Sequence, residues 1–187
     1  MESAGRDKKK SVLKTIRISE SLARSLEKEA ADEGTTVNAD VSKILSRYFD
    51  WDKRMSEFGF VTVSKAAFKR MIGELSDETL STIAREAVPD MFGELAELWF
   101  QSSSPEKVLE AITMRYRFDS VMHTEITTEG NEYTVVVHHD LGPKWSIYVE
   151  SVIKEVVRRW FHAEPRMSRG ESVVTARYRF KPRNPSS

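Results

Sequence analysis

The fold of the N-terminal part is decided by residues 14–22, which read KTIRISESL. The isoleucines at positions 16 and 18 alternate with Thr15 and Arg17, which is the period of a half-buried β-strand. Ser19 is a favourable N-cap, and the acidic residue directly after it suits the positive end of a helix. The stretch therefore predicts a short strand with one apolar face, followed at once by a helix.

Two amphipathic helices are predicted after this strand. In the first, apolar residues recur at every fourth position from Leu22, and Gly34 supplies the left-handed residue that readily ends a helix. Thr36 is the N-cap of the second helix, whose apolar stripe continues to Tyr48. Residues 11–52 thus predict one strand and two helices, an order that few folds use.

This predicted unit cannot fold alone. A single strand has no pairing partner, and about forty residues bury too little apolar surface without a disulfide, a metal or a second chain. The simplest remedy is a twofold dimer in which two strands pair antiparallel and four helices share a core. Thr15 and Arg17 of both chains would then project from a two-stranded ribbon, a shape that enters the DNA major groove. The alternative is an amphipathic helical hairpin that serves protein dimerisation alone.

Residues 16–22, with the glycine and the threonine cap that follow, resemble the ribbon-helix-helix repressors, the methionine-repressor, Arc and plasmid copy-number group of prokaryotic proteins. The resemblance covers residues 11–50. It implies a homodimeric DNA-binding fold in which three outward strand residues read bases, namely Leu13, Thr15 and Arg17. Leu13 is apolar where the family usually has a polar reader. It would touch a thymine methyl group, or Lys14 would turn to a phosphate, or this end of the ribbon contributes little.

The resemblance also implies phosphate contacts. The helix N-terminus that grips a phosphate in the family corresponds here to the backbone amides of Thr36, Val37 and Asn38. Lysines before and within the strand would add a phosphate attraction that salt weakens steeply, namely Lys8, Lys9, Lys10 and Lys14. We assign residues 1–10 to a basic flexible arm, although the same lysines would also suit a solubilising tail.

The charge distribution is compatible with a DNA partner although the formal net charge is zero. Residues 1–19 hold six basic side chains against two acidic ones, and a second basic cluster closes the chain at Arg177, Arg179, Lys181 and Arg183. No run approaches the roughly 18 apolar residues of a membrane span, and the charged N-terminus lacks the apolar core of a signal peptide. The absence of cysteine fits a reducing compartment. We therefore expect a cytoplasmic, nucleoid-associated protein with no membrane contact.

Residues 53–104 predict a helical connector that is either separate or part of the next domain. Phe60–Val63 predicts a short strand. Three serines have the position of helix N-caps, namely Ser64, Ser76 and Ser104.

Residues 105–181 predict a regulatory or oligomerisation domain of α+β class, with a flexible tail at 182–187. After a helix that begins at Pro105, the predicted elements are strands at 121–128 and 132–139, a long helix at 144–161, and a strand at 172–180. Two strands, a helix and a returning strand indicate an α+β sandwich with an antiparallel sheet, of ferredoxin-like type.

A tight turn at residues 130–131 would place His123 opposite His138. Glu125 and Asp140 would lie on the same face of the sheet. Two imidazoles and two carboxylates suit a transition metal with nitrogen and oxygen ligands, which makes a metal-responsive regulator one alternative. The same groups would also suit a proton sensor that titrates near neutral pH, or a plain solvated sheet face.

The segment before the long helix is dense in functional residue types. The glycine and proline at positions 142 and 143 can start a helix, which alone explains much of the pattern. A helix N-terminus flanked by histidine and lysine is also suited to an anionic effector. The candidate effector residues are His138, His139, Asp140 and Lys144.

Taken together, these patterns predict a sequence-specific DNA-binding transcriptional regulator that inserts a dimeric ribbon into the major groove. Its C-terminal domain would sense a small-molecule or metal effector, or oligomerise further. An antitoxin-like or other protein-interaction module is a further alternative. The chain contains no nucleophile elbow and no glycine-rich phosphate loop, so we expect no enzymatic activity and no cofactor.

Overall fold

The computed structural model describes residues 12–86, 88–117 and 121–179. The chain divides between Arg54 and Met55 into two compact units, which we call the N-terminal unit and the C-terminal unit. None of the helices in these described ranges combines the length and the apolar character needed to cross a membrane.

The N-terminal unit contains the two predicted helices. They are α1 (Glu20–Glu33) and α2 (Val37–Arg47), and one π-helical turn (Tyr48–Asp52) continues α2 into α3 (Lys53–Glu57), which crosses the boundary between the units. The predicted caps are confirmed, since Ser19 Oγ accepts from the amide of Leu22 at 3.3 Å and Thr36 Oγ1 accepts from that of Ala39 at 3.2 Å. Gly34 ends α1 with φ of 64°, the left-handed value that glycine adopts without strain.

Two predicted strands are absent from the single chain. Residues 12–19 have no regular secondary structure, because a lone strand has no neighbour with which to form a ladder. The strand predicted at Phe60–Val63 is wrong, since these residues form an irregular link between α3 and the next helix. The ribbon of the N-terminal unit therefore stays a prediction.

The C-terminal unit contains five helices among its described residues. They are α4 (Lys65–Gly73), α5 (Asp77–Glu86), α6 (Val88–Phe100), α7 (Pro105–Arg117) and α8 (Pro143–Phe161). The hydroxyls of Ser64, Ser76 and Ser104 accept from the first-turn amides of α4, α5 and α7, which confirms the predicted caps. Helix α5 packs along α8, and α6 packs against α7 and α8, so most of the sequence between residues 53 and 104 belongs to the same unit as the sheet.

The sheet is antiparallel and four-stranded, with the order β1-β2-β4-β3. Its strands are β1 (Met122–Glu129), β2 (Glu132–His139), β3 (Arg166–Arg169) and β4 (Val173–Arg179). The predicted α+β class and antiparallel sheet are confirmed. The ferredoxin-like type is wrong, because the chain order is two strands, a helix and two strands, whereas that fold requires a helix after its first strand.

Helix α8 lies between much of the sheet and the other helices, and α7 also packs directly against β1. Helix α8 contacts β3 and β4 on one side and α4, α5, α6 and α7 on the others. On the central strands, alternate side chains are buried toward the helices, namely Val135, Val137, Val174, Ala176 and Tyr178. The intervening side chains of these strands are half-buried or exposed, so the core lies on one face of the sheet and the opposite face is open.

A glycine allows α6 to approach α8 closely. A Cβ atom added to Gly93 would lie 2.9 Å from Cζ2 of Trp160, a separation shorter than van der Waals contact. Trp160 is itself half-buried on α8, so the ring cannot move freely away.

We expect Gly93→Ala to lower the free energy of unfolding by about 1–3 kcal/mol, because overpacking against the indole outweighs the better helix propensity of alanine. Gly73→Ala is the matched control. Its added Cβ meets nothing within 4 Å, so the same change should raise stability by up to about 1 kcal/mol. Urea denaturation of both variants measures the difference. Equal stabilisation by the two alanines would show that Trp160 does not constrain α6.

Candidate nucleic-acid interface

The residues predicted to read bases lie on an exposed segment. Leu13 is 94% exposed, and Thr15 and Arg17 are exposed with it. Within the described ranges, neither Arg17 nor Lys14 has an acidic partner within ion-pair distance. Lys8, Lys9 and Lys10 lie outside the described residues. The segment before α1 thus presents cationic side chains that have no ion-pair partner among the described residues.

The start of α2 presents backbone amides close to that segment in sequence. The amide of Ala39 bonds the hydroxyl of Thr36, and that of Asp40 bonds the Thr36 carbonyl oxygen. The amides of residues 36–38 come before these bonds and donate to no acceptor in the described part of the chain. Thr36 and Asn38 are exposed, and Val37 is half-buried. This helix end therefore has the donors and the dipole that a phosphate requires.

The N-terminal unit exposes more large apolar side chains than it buries. Its buried apolar residues are Leu26, Ala30 and Trp51. Ile16 is 63% exposed, and the other exposed large apolar side chains on this segment, its helices and the π-turn are Val12, Leu13, Ile18, Leu22, Ile44, Leu45, Tyr48 and Phe49. Full burial of one such side chain contributes about 1.5–3 kcal/mol. A surface of this kind indicates an interface with another molecule.

Asp40 is a residue that the sequence analysis did not single out. It is only 5% exposed, and its Oδ2 has no hydrogen-bond partner in the described part of the chain. The residue lies in the first turn of α2, where the helix dipole favours a carboxylate. Asp40 lies among the apolar stripe residues of α2. A charged residue at such a position is unusual, and this pattern in the sequence would have singled it out.

The predicted pairing of the two histidines on the sheet is confirmed. His123 lies opposite His138 in the register of β1 and β2. His123 Nε2 is 3.4 Å from Glu125 Oε1 on the same strand, and both side chains are largely exposed. Among the described residues, no group of three or more histidine, aspartate or glutamate side chains is close enough to hold a metal ion.

His139 lies on the face of the sheet that packs against the helices, and its side chain is buried near the start of α8. Its Nε2 is 2.8 Å from Ser146 Oγ, and the serine hydroxyl is 3.2 Å from the carbonyl oxygen of Glu171. The amide of Leu141 donates to Nδ1 at 3.4 Å. Because Nδ1 accepts, the proton of the neutral ring is assigned to Nε2, which donates to Ser146. His139 therefore joins β2 to α8 as a neutral side chain.

Two other candidate effector residues hold the helices around α8. Asp140 forms an ion pair with Lys65 of α4, and that hydrogen bond is the main cause of the lowered pKa of its carboxyl group. Lys144 Nζ is 2.6 Å from Asp77 Oδ1 and 3.0 Å from the carbonyl oxygen of Leu75. These contacts give Asp140 and Lys144 a structural role, so no bound effector is needed to explain why charged residues occur in this segment. His138 remains exposed on the open face of the sheet.

No protein-family model matches the sequence, and a search of curated proteins also finds no match. The function is therefore inferred from the residues and their geometry.

Because His139 is buried as a neutral side chain, we expect the stability of the protein to depend on pH. Burial is the largest cause of its lowered pKa; the charge of Asp140 opposes this shift and His138 adds to it. The unfolded chain then binds the extra proton more readily than the folded one. The contribution of neutral His139 to the free energy of unfolding should be fully present above about pH 6.5. It should be lost as the pH falls from there toward the pKa of His139 in the folded state.

Urea denaturation between about pH 5 and pH 8 measures this dependence. His139→Gln should lower stability at the upper end of the range, because the imidazole packing is lost, and should flatten the slope below neutral pH. His123→Gln, at an exposed position, is the control and should keep the wild-type slope. A wild-type slope in His139→Gln would assign the pH dependence to other groups.

Proposed function

We propose that the chain is a sequence-specific DNA-binding transcriptional regulator that acts as a homodimer through its N-terminal unit. The observation that carries the proposal is the exposed apolar surface of that unit, directly beside a segment whose cationic side chains have no acidic partner among the described residues. Apolar surface of this extent is stable in water only when a partner covers it. A second copy is the partner that would also supply hydrogen bonds to the backbone of residues 12–18, which forms no strand ladder with the described residues of its own chain.

Antiparallel pairing of residues 12–18 from two copies would satisfy two requirements at once. The backbone groups of each segment would form a ladder, and Ile16 and Ile18 would turn toward the helices of both chains. Because successive strand residues point to opposite faces, Thr15 and Arg17 would then project outward together. A ribbon with this outer face fits the width of the major groove.

Arg17 is the residue best suited to read sequence. A guanidinium group can donate two hydrogen bonds to O6 and N7 of one guanine, which discriminates by about 1–3 kcal/mol against other bases. The amides of residues 36–38 would bind a phosphate and fix the orientation of the ribbon on the duplex. Lys14 and the lysines of the arm would contribute attraction without sequence preference.

The C-terminal unit supports a regulator more than an antitoxin-like protein. Antitoxin tails that wrap a partner are expected to be short and unfolded without it. The described residues of the C-terminal unit instead have their own buried core and a four-stranded sheet. We assign this unit to signal sensing or oligomerisation, and a metal-responsive role would depend on His123 and His138.

DNA recognition is tested by selecting bound sequences from random duplexes and then measuring affinities for the selected site. Arg17→Ala should weaken binding to that site by about tenfold or more and relax preference at one position. Lys14→Ala should weaken all duplexes similarly and reduce the salt slope by about one. Arg85→Ala removes an equal charge from an exposed position of α5 and should change neither quantity. An unchanged site affinity in Arg17→Ala would refute the ribbon assignment.

Pairing of the N-terminal segments is tested separately, because the chain has no cysteine of its own. Thr15→Cys should be joined to a second copy by a short bis-maleimide. Adding Ile16→Lys should abolish this cross-link, since a charge would enter the shared core, while helix content stays unchanged because Ile16 is exposed in the single chain. Val61→Lys, at another exposed apolar position, should leave the cross-link intact. Cross-linking that survives Ile16→Lys would place the dimer contact elsewhere.

A further inference from the structure

One face of the C-terminal sheet is open. The side chains that alternate with the buried core residues point away from the helices, and none of those described is buried. We call this surface the open face. Its outward residues are His123, Glu125, Thr127 and Glu129 on β1, Glu132, Thr134, Val136 and His138 on β2, Val173, Thr175, Arg177 and Arg179 on β4, and Arg166 and Ser168 on β3.

The charges of the open face are sorted across the strands. The carboxylates lie on β1 and β2, which form one half of the sheet, and the guanidinium groups lie on β4 and β3, which form the other half. The two halves meet in one ion pair, in which Arg179 Nε is 3.0 Å from Glu132 Oε2. The open face therefore has an acidic half on β1 and β2 and a basic half on β4 and β3, and the two halves meet at the centre of the sheet.

Each half contains a like-charge pair directly opposite across neighbouring strands. Arg166 lies opposite Arg177, and Glu129 lies opposite Glu132. Such pairs destabilise a sheet unless counter-charges are close. In the described part of the chain, Arg166 and Arg177 have no acidic partner within ion-pair distance. Carboxylates placed beside the two arginines would relieve this repulsion, and the described residues of the same chain do not bring any within ion-pair distance.

The centre of the open face is suited to packing. Thr134, Val136, Val173 and Thr175 are half-buried side chains on the two central strands. β-Branched residues of this kind present a flat surface against which a second sheet can pack, about 10 Å away. The charged edges and the flat centre together describe a surface that a sheet with the same pattern would fit.

We propose that a second copy of this chain stacks its open face on this one, related by a twofold axis parallel to the strands. Such an axis places β1 over β3 of the other copy and β2 over β4, so the acidic half of each copy meets the basic half of the other. Val136 then faces Thr175. A twofold axis across the strands would instead put acid against acid and base against base.

We call side chains that lie opposite one another across the four strands a row. Because the axis is parallel to the strands, it places each row over the same row of the other copy. Thr127 of one copy lies over Arg166 of the other, with Glu125 and Glu129 one row to either side. Rows on one face are about 7 Å apart, which a long guanidinium side chain can span. Glu132 lies over Arg179, so the single ion pair within each chain becomes a cluster of four charges across the two copies. Arg166 and Arg177, which have no acidic partner among the described residues of their own chain, thus receive carboxylates from the other copy.

The size of the face indicates a contact that depends on concentration and salt. Four strands about 4.8 Å apart and about seven residues long give roughly 450 Å² per copy, so stacking would bury on the order of 1,000 Å² in total. This is near the lower limit of a specific interface. Chains already held together at their N-terminal units would stack at a much lower concentration than separate chains. The sheet contact does not depend on DNA binding.

Cross-linking of the full chain through one introduced cysteine tests the contact. Thr175→Cys lies beside the proposed axis, so a short bis-maleimide should join it to a second copy. Glu86→Cys, exposed on α5 away from the open face, is the control and should cross-link at least several-fold more slowly. Adding Arg166→Glu and Arg177→Glu to Thr175→Cys should reduce cross-linking to the control rate. This double change keeps a like-charge pair at the same place, so any internal strain of the sheet is matched.

Charge exchange tests the direction of the axis. Glu125→Arg with Glu129→Arg, in a Thr175→Cys chain, should also lose cross-linking when alone. Mixing this chain with the Arg166→Glu, Arg177→Glu chain should restore cross-linking between the two kinds, because each edge again meets its opposite. Circular dichroism confirms that the variants are folded, and all the changed side chains except Thr175 are exposed.

The proposal is overturned if Thr175→Cys cross-links no faster than Glu86→Cys, or if the mixture of oppositely charged chains does not recover. Occupation of the open face by a different partner would also give the first of these results. Because Thr15→Cys reports the N-terminal pairing and Thr175→Cys reports the sheet, failure of one contact is distinguished from failure of the other.

Discussion

The C-terminal unit depends on the burial of helix α8. The helix contacts the sheet on one side and the helices α4–α7 on the others, and apolar side chains are buried along its whole length. Near its start, the fully buried Ser146 bonds both His139 of β2 and the carbonyl of Glu171 before β4. Because β3, β4 and most of the helices pack against this one helix, much of the apolar surface of both layers is removed from water by α8, and α7 adds a direct contact with β1.

The N-terminal unit meets the same physical requirement differently. Among its described residues, one chain buries few large apolar side chains there and brings no strand beside the segment that precedes α1. A second copy would supply both the missing ladder and the missing core, which is why pairing and DNA reading are proposed for the same residues. The open face of the sheet differs from the N-terminal unit, because its main feature is the separation of acidic and basic side chains between its two halves. Contact there would respond to salt more strongly than the apolar contact of the N-terminal unit.

Signals confined to neighbouring residues were read correctly from the sequence. Ser19, Thr36 and Ser104 are caps in the structure because a cap is a hydrogen bond to an amide two or three residues away. The pairing of His123 with His138 followed from the tight turn between their strands. Strand β3 was missed, because Arg166–Arg169 has no apolar alternation and is held as an edge strand by β4. The strand expected at Phe60–Val63 is wrong for the converse reason, since these residues have an apolar pattern but pair with no strand in the described part of the chain.

The sequence by itself determined the helices, their caps, the hairpin and the candidate reading residues Thr15 and Arg17, because each depends on residues close together in the chain. The order of the strands, the burial of His139 and the engagement of Asp140 and Lys144 by Lys65 and Asp77 were decided only by the tertiary structure. So was the sorting of charge across the open face. These features depend on which distant segments become neighbours, and that choice is made by packing the whole unit around α8 rather than by any local pattern.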